Sequence, residues 1–139
     1  MADVFSPEKR SQVMQKIRSK NTKPEIVIRQ AIHRLGYRFR LHDKSLPGNP
    51  DIIMPKYHTV IQVRGCFWHG HDCKDGHIPK SRKEYWEPKI RATIERDEKN
   101  DHKLRKDGWK LIIVWECQCM TKDSLTNELM RIANLLTVV

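Results

Sequence analysis

At 139 residues, with 38% hydrophobic and 32% charged side chains, the chain has the make-up of one soluble globular domain, not of a disordered or fibrous protein. Its 27 Lys and Arg against 17 Asp and Glu leave a net charge of +10, which points to a polyanionic partner, nucleic acid first. No apolar run approaches the length of a membrane span and the Met1-Ala2-Asp3 start lacks a signal-peptide layout, so no membrane is expected as a partner and a cytoplasmic location is.

In chain order, Ser6-Pro7 reads as an N-cap with proline at the first helical position and opens a basic helix or arm through about Lys20. Thr22-x-x-Glu25 matches a capping box, and Ile28, Ala31, Ile32 and Leu35 form the apolar stripe of a second helix, stopped by Gly36. Tyr37 to Leu41 alternates as a half-buried strand, followed by a turn-rich loop from Asp43 to Pro50. Asp51 to Met54 and Thr59 to Val63 are then predicted strands, close enough to form a hairpin. Residues 65 to 83 carry Gly, His, Cys, Lys and Pro without a period, as an ordered loop held by something other than a core. A third helix runs from Tyr85 or Pro88 to Lys106. Gly108 ends it, Trp109 to Trp115 is the most apolar run and reads as a buried central strand, and a last helix spans Ser124 to Leu136. The order α, α, β, β, β, α, β, α predicts an α/β fold, a mixed β-sheet flanked by helices.

Asp51 heads a strand directly after Pro50, where a carboxylate can meet a divalent cation on a rigid support. Gln62-Val63-Arg64 ends the hairpin partner, and with Asp51 it resembles the PD-(D/E)xK nuclease pattern. Gln62 stands where an acid would be and Arg64 where lysine would be, so the side-chain amide of Gln62 or a backbone carbonyl near Val63 is the nearby donor and a second charge must come from elsewhere. On the third helix Ile90, Ile94, Asp97, Asp101 and Leu104 are spaced four, three, four and three apart, one helical face. Asp97 lies on that inward stripe, where an unpaired carboxylate is costly, and Asp101 nearer its edge. Glu25 has two readings, the capping box or a place near the metal. His69, just beyond the second hairpin strand, suits proton abstraction from an attacking water.

Cys66, His69, His71 and Cys73 fall within eight residues, and Cys117 follows the end of the Trp109–Trp115 run. If the strands before Cys66 and Cys117 run side by side, then Cys66, His71, Cys73 and Cys117 make a closed Cys3His zinc site. His69 is an alternative ligand to His71, and whichever histidine stays out is free to act as a base. Phe67, Trp68 and Trp86 sit beside this loop with Lys74, Lys80, Arg82 and Lys83. They read either as a wedge for insertion between base pairs or as a cap on the core, whereas Trp109 and Trp115 are assigned to the core.

Gly65-Cys66-Phe67-Trp68-His69-Gly70-His71-Asp72-Cys73, Leu46-Pro47-Gly48-Asn49-Pro50-Asp51, Glu95-Arg96-Asp97, Gly108-Trp109 and Val114-Trp115-Glu116-Cys117 resemble the very-short-patch-repair (Vsr) mismatch endonucleases. Arg10-Ser11 through Thr22-Lys23-Pro24-Glu25 is similar too. The resemblance implies a restriction-endonuclease-like fold with a structural zinc site. It also implies an enzyme that nicks 5′ to the thymine of T:G mismatches left by 5-methylcytosine deamination. By that resemblance Asp51 and the Val63 backbone oxygen hold Mg2+, His69 is the catalytic base, and Glu25 and Asp97 lie in the active site. Cys66, His71, Cys73 and Cys117 hold Zn2+, and Phe67, Trp68 and Trp86 insert from the major groove while the N-terminal helix reaches the minor groove. The implied setting is a monomer in a bacterial cytoplasm, associated with the nucleoid, acting on mismatched duplex DNA with mismatch-repair proteins and a repair polymerase. The chain departs from the family at Val63, where threonine is often found, and at Arg64, where histidine can occur. A restriction-type or junction nuclease, or a zinc-stabilised DNA-binding module without catalysis, are the alternative readings.

Overall fold

The computed structural model describes residues 22–71, 73, 76 and 80–136. The basic helix expected over Ser6–Lys20 lies outside these residues, as does Lys74 of the loop. Among the described residues the chain forms three α-helices and a four-stranded mixed sheet. Helix α1 spans Lys23–Arg34, α2 Lys83–Lys106 and α3 Lys122–Leu135. The strands are β1 (Arg40–Leu41), β2 (Ile52–Met54), β3 (Thr59–Arg64) and β4 (Lys110–Trp115). None of these helices is long and apolar enough to cross a membrane.

The sheet order is β1-β2-β3-β4, antiparallel except for the parallel β3–β4 pair. The return from β3 to a parallel neighbour needs a crossover, which the long helix α2 supplies. Pro55–Tyr57 forms one 3-10 turn and His58 takes the left-handed conformation (φ 49°), which reverses the chain between β2 and β3. His58 then stacks on Trp109 at 4.2 Å.

Side-chain alternation sorts the sheet into two faces. Ile52, Met54, Ile61, Ile112 and Val114 pack on one face with Ile28 and Ile32 of α1 and Ile132 of α3. Ile53, Val60 and Leu111 face the other way, against Leu104 of α2 and Trp109. By the same alternation Gln62, Arg64 and Trp115 lie on the α2 face.

Five expectations are corrected. Trp109–Trp115 is not central: β4 is an edge strand, apolar because helices cover both its faces. Among the described residues its outer edge is met by a side chain, the Arg131 guanidinium donating to the Ile113 carbonyl at 2.8 Å. The Tyr37–Leu41 strand shrinks to Arg40–Leu41, both exposed. Leu35 is 55% exposed; it caps α1, and Gly36 takes the positive φ (95°) that ends the helix, so the apolar stripe stops at Ile32. The Thr22–Glu25 capping box does not form: Thr22 is the N-cap but its side chain makes no capping bond. Helix α2 also starts earlier than expected, at Lys83, and carries Pro88 in its second turn.

The burial pattern sets the stability prediction. Ile61 is fully buried at the centre of the larger core. Ile61→Ala lowers unfolding free energy by about 2–5 kcal/mol, whereas Leu35→Ala changes it by less than about 0.5 kcal/mol, as chemical denaturation measures directly.

Candidate active site and metal centre

The register of β3 builds the site. The β2–β3 pairing, continued by one residue, sets Gln62 opposite Asp51. The Asp51 N–H donates to Gln62 Oε1 at 3.3 Å, and the Val63 N–H donates to Asp51 Oδ2 at 2.8 Å. The N–H and C=O of a strand residue point to the same neighbour, so the Val63 carbonyl also faces Asp51. Gln62 thus uses one lone pair of its side-chain oxygen to hold the Asp51 backbone.

The second acid at this point is Glu25, 1% exposed on the first turn of α1. Arg29 and His42 both reach its Oε2 at 2.9 Å. Ligand atoms of Glu25, His42 and Asp51 lie within 4.8 Å of one another, close enough to hold a cation. Burial pushes the Asp51 carboxyl up from 3.8 to about 7, and the neighbouring Glu25 charge adds to the rise against the opposing Val63 hydrogen bond. Two carboxylates side by side, Glu25 buried and Asp51 half-buried, are the hard donor set that a divalent cation neutralises, so the residues fit such an ion. Sequence reasoning missed His42. Its signal is positional: the β1–β2 register carried on by one residue places it opposite Asp51, and its backbone N–H donates to the Asp51 carbonyl at 3.2 Å.

Beyond β3, His69 Nδ1 meets Asp97 Oδ2 at 2.5 Å. A carboxylate can only accept, so Nδ1 carries the proton and Nε2 keeps the lone pair that a general base needs. Asp101, expected nearer the edge of the helix stripe, is more buried than Asp97 and pairs with Arg64 at 2.6 Å. Arg64 in turn stands 4.0 Å from Asp97, and its charge acts on Asp51. One guanidinium thus links the Asp51 side of the site to the His69–Asp97 pair.

Cys66, His71, Cys73 and Cys117 bring their ligand atoms within 4.8 Å of one another. Cys66 and Cys117 meet because β3 and β4 run parallel with Arg64 beside Trp115. Zinc–ligand bonds of about 2.3 Å to sulfur and about 2.0 Å to nitrogen at a tetrahedral angle imply a sulfur–nitrogen edge of about 3.5 Å. Cys117 Sγ and His71 Nδ1 are 3.5 Å apart. Burial, together with the neighbouring Cys73 and Cys117, pushes the Cys66 thiol up to about 12, so three thiols crowded here suit a cation that takes their protons' place. The residues fit zinc. Gly76 closes the loop against this centre, since a Cβ there would stand 1.9 Å from the His71 carbonyl oxygen. Trp115, expected in the core, instead stacks on His71 at 4.1 Å. His69 stays out of the ligand set, and so does Cys119.

Phe67, Trp68 and Trp86 do come together. Their rings contact one another edge-to-face at 5.2–5.6 Å and pack on Ile90 and Ile94. Trp68 and Trp86 are buried, 4% and 6% exposed, so in the free protein both cap a small aromatic core, with Phe67 partly exposed at its rim.

Two measurements check this geometry. The folded chain holds a proton on Asp51 that the unfolded chain releases near 3.8, so its stabilising effect is lost as pH rises through about 7. Asp51→Asn therefore raises the metal-free Tm at about pH 8 by on the order of 5 °C, with little change near pH 4. For the thiol site, Cys117→Ser eliminates bound zinc and lowers Tm by on the order of 10 °C, while Cys119→Ser retains one zinc per chain by atomic emission.

Comparison with known proteins gives the family. The family model described as DNA mismatch endonuclease Vsr matches residues 2–75. A type II nicking enzyme of Xanthomonas oryzae pv. oryzae is 48% identical over 132 residues, 95% of this chain and 97% of the relative. Another from Neisseria meningitidis serogroup A is also 48% identical, covering 95% and 94%. The DNA mismatch endonuclease Vsr of Escherichia coli is 39% identical over 92% of this chain and 82% of its own length. With a family model spanning more than half of it and such relatives matching nearly throughout, the chain belongs to the Vsr family of DNA mismatch endonucleases and carries its restriction-endonuclease-like fold.

Proposed function

We propose that this endonuclease nicks one strand of duplex DNA 5′ to the thymine of T:G mismatches, such as 5-methylcytosine deamination leaves, with Mg2+ as cofactor. The observation that carries the reading is the meeting of two different devices at the end of β3. One is a close pair of carboxylates, buried Glu25 and half-buried Asp51; the other is an imidazole, His69, oriented by Asp97. A binding module without catalysis needs neither.

In this reading Asp51 and the Val63 carbonyl hold Mg2+, with Glu25 beside them and His42 and Arg29 fixing Glu25. When bound, the ion neutralises the phosphate and lowers the pKa of a water. His69 accepts the water's proton on Nε2, and Asp97 holds the ring in that tautomer. Zinc on Cys66, His71, Cys73 and Cys117 stiffens the loop that presents His69.

Specificity for the mismatch falls to Phe67, Trp68 and Trp86. They leave their own cluster and insert beside the mispair, where stacking lost in the protein is regained on bases. A mispaired step costs less to unstack than a Watson–Crick one, which favours T:G over T:A. The net charge of +10 provides phosphate affinity without sequence information. The chain acts as a single-domain monomer in the bacterial cytoplasm at the nucleoid, and hands the nick to mismatch-repair proteins and a repair polymerase.

Duplexes carrying T:G, T:A and C:G at one position, incubated with Mg2+, test this reading. Nicking of T:G alone, 5′ to the thymine, is expected; equal cutting of T:A rules out the mismatch assignment. His69→Ala is expected to lower the single-turnover rate by about 10²–10⁴-fold.

A further inference from the structure

Asp97 and Asp101 stand one turn apart on the inward face of α2, an arrangement in which two carboxylates repel. Arg64 reaches both. Its Nη2 donates to Asp101 Oδ1 at 2.6 Å, and its Nε stands 4.0 Å from Asp97 Oδ2. That same Asp97 oxygen receives His69 Nδ1 at 2.5 Å. Two cationic or donor groups thus compete for one oxygen, and the imidazole has it. Arg64 and Asp101 are 7% and 8% exposed, so the guanidinium has little water to turn to.

The distances show what holds the balance. A buried guanidinium deprived of one carboxylate closes on the next, in the two-pronged geometry that arginine and carboxylate favour. Asp97 is that next carboxylate. We propose that Asp101 is a positioning residue. By binding Arg64 it keeps the guanidinium from closing on Asp97, and so preserves the Asp97–His69 bond. The proposal rests on the reading of His69 as the base given above. Arg64 is needed between the two acids, and Asp101 makes its presence compatible with an oriented histidine.

Asp101→Asn, nearly isosteric, is compared with wild type in three measurements: single-turnover nicking, duplex affinity without added Mg2+, and the downfield proton resonance of the His69 Nδ1–H. The resonance is assigned by its loss in His69→Gln. The expected result is a 10–100-fold slower rate, the size that a small misplacement of a catalytic group produces, with affinity within about twofold and the resonance lost. The Arg64→Gln/Asp101→Asn double variant removes the competing guanidinium and is expected to regain the resonance. An unchanged rate and resonance in Asp101→Asn overturns the proposal. So does a resonance still missing in the double variant, since Asp101 would then act on the fold and not through Arg64. Failure of the mismatch reading is separate: it appears in the wild-type duplex preference and leaves the resonance untouched.

Discussion

The structure depends on how β3 is paired on its two sides. Against β2 the antiparallel register sets Gln62 opposite Asp51 and aims the Val63 backbone at the Asp51 carboxylate. Against β4 the parallel register sets Arg64 beside Trp115, so that the chain leaves both strands at the same end and Cys66 meets Cys117. A slip of one residue would turn Gln62 and Arg64 from the α2 face to the face packed by α1 and α3. Asp101 would then lose its partner and Arg64 would enter an apolar core. The Asp51 carboxylate and the Cys66–Cys117 cluster are thereby tied to a single hydrogen-bonding pattern.

The electrostatics run against the composition. A chain with ten more basic than acidic residues gathers four acids around one strand end, Glu25 and Asp101 buried, Asp51 and Asp97 half-buried. Each has a donor. Glu25 has Arg29 and His42, Asp101 has Arg64, Asp97 has His69, and Asp51 has the Val63 N–H. Asp51 is the least compensated, held by a neutral donor beside another carboxylate, and its raised proton affinity follows. Where the fold leaves a buried carboxylate short of positive charge is where a cation gains most by binding. The basic surplus elsewhere then serves to draw the polyanion toward a locally acidic site.

That Cys66, His71, Cys73 and Cys117 come together was legible in the sequence, because thiol and imidazole donors so close along the chain, with Cys117 after a second strand, suit one shared cation. Asp97 was legible as a polar residue on an apolar helix stripe. The two faces of the sheet followed from alternation. Other features depend on contacts between distant residues and leave no local pattern. The apolar Trp109–Trp115 run is the same for a central strand and for an edge strand covered on both faces, and only the order of strands in the sheet tells them apart. Arg64 and Asp101 are 37 residues apart, and neither residue announces the other. Glu25 satisfied a capping motif by spacing, yet its side chain turns to His42 instead of to the backbone. Trp115 looked like core by its neighbours and proved to be the platform on which His71 stacks.

The central claim is that the β3 register brings the Asp51 carboxylate and the His69 imidazole to one cation-binding end of the sheet. Titrating the zinc-loaded protein with Mn2+, and following histidine ring protons by NMR, tests it most directly. The account predicts that the His42 and His69 resonances broaden together at low Mn2+. His58, about 16 Å away along β3 at its opposite end, should stay sharp. Broadening of His42 with an unaffected His69 would contradict the account, because the acid and the base would then serve different places on the molecule.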